Sequence, residues 1–173
     1  MARNVEIKAR VANLDAIEAK AAAIADHGPT PIVQDDTFFR CASGRLKLRA
    51  FSETDGELIY YRRASEAGPK ESFYVRTPVA AVAALRETLT LAYGTAGRVQ
   101  KARTLYLAGR TRIHLDRVED LGTFVELEVV LAEGEHLDSG IAEAENVMAL
   151  LGIGRDQLVE HAYVDLLQAR PAR

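Results

Sequence analysis

Five stretches of the chain alternate charged and apolar residues with a period of two, and this limits the fold more than any other feature. From Asn4, the residues Asn4, Glu6, Lys8 and Arg10 share one face, and Val5, Ile7 and Val11 share the other. Arg45, Lys47 and Arg49 oppose Leu46 and Leu48. Lys101 and Arg103 align, although Leu105 interrupts their face. Arg112, His114 and Asp116 oppose Ile113, Leu115 and, less cleanly, Thr111. Glu126 and Glu128 oppose Val125, Leu127 and Val129. Successive side chains of a strand point to opposite faces, so each stretch reads as a strand with one apolar and one charged face. One such strand ordinarily marks a half-buried sheet with a solvated side. Here the charges come in blocks, cations on two strands and carboxylates on another, whereas a solvated face more often mixes charge with Thr, Ser and Gln.

The rest of the chain supplies elements to cover the apolar faces. Strands are expected at 4–11, 36–41, 45–51, 57–63, 71–76, 99–107, 110–117 and 123–131, from alternation or β-rich composition. Gly109 and Gly122 fall in turns between neighbouring strands. Four segments read as helices. The first follows Asn13 as N-cap, carries Leu14, Ile17, Ala21 and Ile24 at helical spacing, and ends at Gly28. The second begins at Thr77-Pro78, with Val79, Val82, Leu85 and Leu89 as its apolar stripe, and stops at Gly94. The third runs from about Ser139 to Gly152 with Ile141, Ala144, Met148 and Leu151 inward. A shorter fourth starts near Asp156 and includes Tyr163, Leu166 and Leu167. The expected fold class is α+β: an eight-stranded antiparallel sheet closing into a barrel, with the helices packed outside. If the helices cover the outside, the apolar strand faces point outward to them and the charged faces line the lumen.

A chain of 173 residues with 48% hydrophobic and 27% charged residues fits one domain, expected over 1–168, with 169–173 as a frayed tail. Net charge is −3, which argues against general affinity for nucleic-acid polymers or anionic membranes. No stretch approaches the roughly 20 apolar residues of a membrane span, and the N-terminus carries no apolar signal core. The single cysteine, Cys41, excludes an internal disulfide and has no evident base partner. A cytoplasmic location is expected.

A lumen holding several Arg and Lys needs anions, because buried like charges are costly unless paired. Carboxylates neutralise part of that charge and a bound polyanion would neutralise the rest. Carboxylates beside a phosphate site also recruit Mg2+ or Mn2+. With no Walker loop or dinucleotide-binding glycine pattern, side chains must hold the phosphates.

At this point the residues resemble a known family. Asn4-Val5-Glu6-Ile7-Lys8 resembles the Glu-x-Glu-x-Lys signature of the CYTH superfamily, the triphosphate tunnel metalloenzymes. The blocks QDDTFF (34–39), GRLKLR (44–49), LIYYRR (58–63), KES (70–72), KARTLYL (101–107), IHLDRVEDLG (113–122), FVELEVVL (124–131) and HAYVDLL (161–167) are similar to the family's blocks in the same order. The flavour is that of the bacterial class IV adenylyl cyclase branch. The resemblance implies a triphosphate-bearing small molecule as ligand, Mg2+ or Mn2+ as cofactor, and a homodimer as an allowed assembly. It implies metal binding and catalysis by Glu6, Glu126 and Glu128, with Asp116 as a further metal or water-orienting carboxylate. It implies phosphate contacts from Lys8, Lys47, Arg49, Lys101 and Arg103, with Arg45, Arg62, Lys70 and Arg112 as further candidates. Two chemistries follow: cyclisation of ATP to cyclic AMP and pyrophosphate, or hydrolysis of tripolyphosphate, thiamine triphosphate or a nucleotide. A non-catalytic triphosphate-binding module is the alternative, because Asn4 stands where the signature has its first Glu and offers a metal no negative charge. His114 reads as a structural histidine with a local partner, in preference to a phosphate contact. Tyr163 reads as a buried tyrosine with a bonded hydroxyl, in preference to a lid.

Overall fold

A computed structural model describes residues 2–63 and 68–170. Among these residues, eight antiparallel strands form one sheet that closes on itself: β1 (Ala2–Arg10), β2 (His27–Phe39), β3 (Arg45–Ala50), β4 (Gly56–Arg63), β5 (Lys70–Val79), β6 (Thr95–Ala108), β7 (Thr111–Val118) and β8 (Gly122–Val130). The order around the ring is β1-β5-β4-β3-β2-β6-β7-β8, and β8 pairs back onto β1. Four α-helices accompany it: α1 (Leu14–Ile24), α2 (Val82–Tyr93), α3 (Leu137–Leu151) and α4 (Tyr163–Gln168). Of the 169–173 tail, residues 171–173 lie outside the described residues.

The helices pack where the alternation requires. α1 lays Leu14, Ile17 and Ala21, and α3 lays Ala144, Val147, Met148 and Leu151, against the outward residues Val5, Ile7, Ile113, Leu115, Leu127 and Val129. α2 covers Phe39, Leu48 and Ala50 with Val82 and Leu89. α3 comes very close to β1: a Cβ on Gly140 would sit 2.8 Å from Val5 Cγ2 and 2.6 Å from Leu131 Cδ2. A larger residue there would force these side chains or the helix to shift. With the apolar faces turned outward, the charged faces line the interior, as the alternation predicts.

Several boundaries differ from expectation. β2 starts at His27, nine residues before the expected strand, and takes in Pro29 and Pro31. α1 accordingly ends at Ile24 rather than running to Gly28. β5 continues through Thr77-Pro78 to Val79, so α2 begins only at Val82. Both strand extensions have one cause. Residues 27–34 of β2 pair with β6 alone, because β3 covers only 35–39. Residues 75–79 of β5 pair with β4 alone, because β1 covers only 70–74. A proline is tolerated in a strand that has a free side, so the prolines that read as helix starts or loops lie on overhanging rims. The expected fourth helix divides into a 3-10 turn at Arg155–Gln157 and α4, with an extended segment between them.

Candidate active site: a tunnel of paired charges

The interior is a cavity of about 290 Å³, lined by charged and polar side chains from all eight strands. Strand register sorts those charges into three clusters. In the first, Asp36 on β2 lies directly opposite Arg49 on β3, and Lys47 shares the face of Arg49. Asp36 accepts from Arg49 Nε at 2.8 Å and Nη2 at 2.7 Å, and from Lys47 Nζ at 2.7 Å. Burial would raise the Asp36 carboxyl, but Arg49 and Lys47 outweigh it and hold the group far below the usual carboxylate range. Burial and the Arg49 charge push the Lys47 ammonium down to about 8.

The second cluster repeats this plan. Asp116 on β7 faces Arg103 on β6, with Lys101 two residues before the arginine. Arg103 reaches both Asp116 oxygens at 2.6 Å, and Lys101 Nζ lies at 2.9 Å. The Tyr163 hydroxyl donates to Asp116 Oδ2 at 2.9 Å. Asp116 is 0% exposed. Burial would raise its carboxyl, and Arg103 and Lys101 override that.

The third cluster centres on β8. Glu126 lies opposite Lys8 of β1 on one side and His114 of β7 on the other, and Glu128 lies between Glu6 and Arg112 in the same way. Lys8 Nζ sits 3.1 Å from Glu126 Oε1, Arg103 holds Oε2, and Arg112 Nη2 sits 2.8 Å from Glu128 Oε2. Burial would raise Glu126; Lys8, Lys101 and Arg103 bring it well below its ordinary value. Burial, then the Arg103 charge, pushes His114 down to about 3, so the ring is neutral near pH 7. Its Nδ1 lies 3.8 Å from Glu128 Oε1 and has no hydrogen-bond partner. A ring nitrogen of His114 and one oxygen each of Glu126 and Glu128 lie within 4.8 Å of one another. These donors, with Glu6 beside Glu128, fit a divalent cation in charge and donor type.

α4 closes one end. The Tyr163 ring has Lys8 Nζ 4.1 Å and Lys101 Nζ 4.9 Å from its centroid, and it meets Phe124 edge-on at 4.9 Å. Burial, reinforced by Glu126 and Asp116, raises the Tyr163 hydroxyl well above 10, so it stays a donor. Arg45 grips Asp165 through two bonds of 2.9 and 2.7 Å. Lys70 donates to the Glu160 carbonyl at 3.1 Å, and Lys8 to that of His161 at 3.3 Å.

The tunnel thus brings together Glu6, Lys8, Lys47, Arg49, Lys101, Arg103, Arg112, Glu126 and Glu128 of the residues picked out from sequence. It leaves Arg45 and Lys70 bound to the C-terminal segment, and Arg62 exposed beside the Phe73 ring at 5.6 Å. Asp116 lies at the tunnel wall, with both oxygens occupied by its cations and by Tyr163. Sequence reasoning missed Asp36 altogether. The signal was present in 34–39, where Gln34, Asp36 and Phe38 alternate with outward residues. His114 also departs from expectation, since its Nδ1 has no local partner. Tyr163 has its bonded hydroxyl, as expected.

Comparison with known proteins completes the description. The family profile described as the CYTH domain matches residues 2–163. The chain is 24% identical over 174 residues to adenylate cyclase CyaB of Aeromonas hydrophila, covering 95% of this chain and 88% of that protein. It is 32% identical over 139 residues, 78% of this chain, to a formate dehydrogenase of Pseudomonas sp. (strain 101), and spans only 34% of that protein's length. A protein of Pyrococcus horikoshii superposes with a TM-score of 0.81 at 22% identity, covering 94% of this chain and 98% of that one. A Hippeastrum protein described as an adenylyl cyclase candidate with a dominant triphosphatase activity superposes with a TM-score of 0.68 at 13% identity, over 98% and 96% of the two chains. No helix among the described residues is long and apolar enough to cross a membrane.

Proposed function

The chain belongs to the CYTH domain family, and from that premise we propose that it is a metal-dependent enzyme that binds the triphosphate of a small molecule along the tunnel and breaks a phosphoanhydride bond there. The observation that carries this reading is the tunnel itself, in which six cations, Lys8, Lys47, Arg49, Lys101, Arg103 and Arg112, converge from four strands on one cavity. Arginine suits the role because its planar fork takes two phosphate oxygens at once. Glu6, Glu126 and Glu128 are the residues that would hold the divalent ion, which supplies charge to polarise phosphate oxygens.

The cations are not idle in the structure, and this shapes the mechanism. Glu126 engages Lys8 and Arg103, and Glu128 engages Arg112. A carboxylate that turns to a cation ligand gives up its hold on these side chains, which then meet phosphate oxygens in a site largely shielded from water. Asp36 and Asp116 act differently. Each is deeply buried and grips a Lys-x-Arg pair from the facing strand. Their role in this reading is to aim Lys47, Arg49, Lys101 and Arg103, so that the cage is organised before ligand arrives.

Two chemistries fit the cage. Attack of a ribose 3′-hydroxyl on the α-phosphorus of ATP forms the cyclic phosphodiester and expels pyrophosphate. Attack of water on the terminal phosphorus releases orthophosphate. Similarity to the Aeromonas adenylate cyclase supports the first, and the fold shared with the Hippeastrum protein is compatible with the second. The test is product analysis with purified protein, Mg2+ or Mn2+, and ATP, tripolyphosphate or thiamine triphosphate in separate samples. Cyclic AMP with pyrophosphate identifies a cyclase, and orthophosphate a triphosphatase. Metal-dependent binding without product identifies a receptor and overturns the enzymatic reading; Asn4, buried with its Oδ1 unpartnered, is then the residue to restore to Glu.

A further inference from the structure

His114 has no part in the phosphate grip described above, yet its position is specific. The residue is 5% exposed, lines the tunnel, and its Nδ1 is buried with no hydrogen-bond partner. An unpaired buried imidazole nitrogen is costly to maintain, and one in a polar cavity points to a missing partner. Nδ1 lies 3.8 Å from Glu128 Oε1, beyond hydrogen-bond range. Two donors that share one ion, each at about 2.1 Å, stand roughly 3–3.5 Å apart. The observed spacing is close to that of donors that meet on a cation. Arg112 holds the other oxygen of Glu128, which leaves Oε1 as the oxygen nearest the ring. The strand register accounts for the third donor, because His114 lies directly opposite Glu126 and Glu128 follows on the same face of β8.

We propose that His114 Nδ1, Glu126 and Glu128 form a mixed nitrogen–oxygen cation site, and that the imidazole makes the tunnel select a divalent transition ion over Mg2+. The inference rests on reading the tunnel as a metal-dependent site and adds which ion it takes. Mg2+ prefers an octahedron of hard oxygens and keeps several waters. An imidazole ligand favours the first-row transition ions, whose affinity for nitrogen donors exceeds that of Mg2+.

The experiment uses the full chain with Mn2+ or Mg2+ alone, without nucleotide. Pulsed electron paramagnetic resonance of bound Mn2+ is expected to show the hyperfine coupling of a directly ligated nitrogen, and this measurement needs no variant. His114→Gln is expected to abolish that coupling and to weaken Mn2+ binding about tenfold or more, while Mg2+ affinity moves by less than roughly twofold. Glu128→Gln is expected to weaken both ions. Bound Mn2+ without nitrogen coupling, or an equal loss of Mn2+ and Mg2+ affinity in His114→Gln, overturns the proposal. A parallel titration with tripolyphosphate separates it from the functional reading. Nitrogen-ligated Mn2+ with no tripolyphosphate binding keeps this site and overturns the triphosphate tunnel. Tripolyphosphate binding with Mn2+ that lacks nitrogen coupling does the reverse.

Discussion

Lys47 carries a tension that ligand binding would relieve. Burial and the neighbouring Arg49 depress its ammonium to about 8, although Asp36 pulls the other way. Below that pH the side chain is charged and attracts an anion; above it, the charge is lost. Tripolyphosphate affinity is therefore expected to fall as pH rises through about 8, with proton uptake on binding at the alkaline end, read from the buffer dependence of the calorimetric enthalpy. A pH-independent affinity between 7 and 9 would remove Lys47 from the grip. Asp36 lends itself to a second measurement. Asp36→Asn leaves Lys47 and Arg49 buried without their counter-charge, and the free protein is expected to lose about 3–5 kcal/mol. Tripolyphosphate should restore part of that loss, so the ligand-induced rise in Tm should exceed that of the wild type. Much of this site was legible in the sequence because a period of two assigns every second residue of a strand to one face. Asp36 was not: it opens the expected 36–41 strand with Phe38 next on its face, and Gln34 fell in the proline-bearing stretch before that strand, so no run of charges marked the position. Nor was the role of Arg45, because periodicity says which face a residue takes but not what lies beyond the strand's end.

At the scale of elements, α4 and the segment before it act as a stopper fastened by side chains. Arg45 reaches Asp165, and Asp165 in turn accepts from the Ala162 N–H at 3.2 Å. Arg45→Ala is expected to loosen residues 158–168 to limited proteolysis, to cost about 1 kcal/mol or less of stability because the pair is partly exposed, and to leave tripolyphosphate affinity within roughly twofold. A large loss of affinity without loosening would return Arg45 to the phosphate contacts. The helices on the barrel's outer face carry the stability instead. Leu127 is 0% exposed beneath α1 and α3, and Leu127→Ala is expected to cost about 2–5 kcal/mol by thermal or denaturant unfolding. The helix positions were largely readable from apolar spacing, and α3 ends at Gly152 as expected, with φ at +72°. The start of α2 was not. Thr-Pro is a helix opening only where no strand claims it, and here β4 pairs with that stretch through Pro78 and Val79.

For the whole molecule, the tunnel behaves as one coupled charge system. If Glu126 and Glu128 exchange arginine and lysine for a divalent ion, the ion and the triphosphate must each tighten the other's binding, because coupling between two ligands is reciprocal. Mn2+ is expected to raise tripolyphosphate affinity about tenfold or more, and tripolyphosphate to raise Mn2+ affinity by the same factor, both measured by titration calorimetry. Glu126→Gln should shrink that factor. Independent binding of the two would mean that the ion pairs remain closed.

Ring closure has a further consequence for how the protein is made. β1 precedes the other seven strands of the sheet in the chain, yet its neighbours are β5, where Asn4 meets Ser72, and β8, where it meets Val130. One of its hydrogen-bonding edges therefore waits for residues 70–74 and the other for residues 124–130. Pairings so distant in sequence are slow to form. During that interval Val5 and Ile7 have neither α3 nor β8 to cover them, and nascent chains in this state are prone to associate. Refolding from denaturant should show β1 and β8 gaining amide protection together and late, after the β3–β4 hairpin.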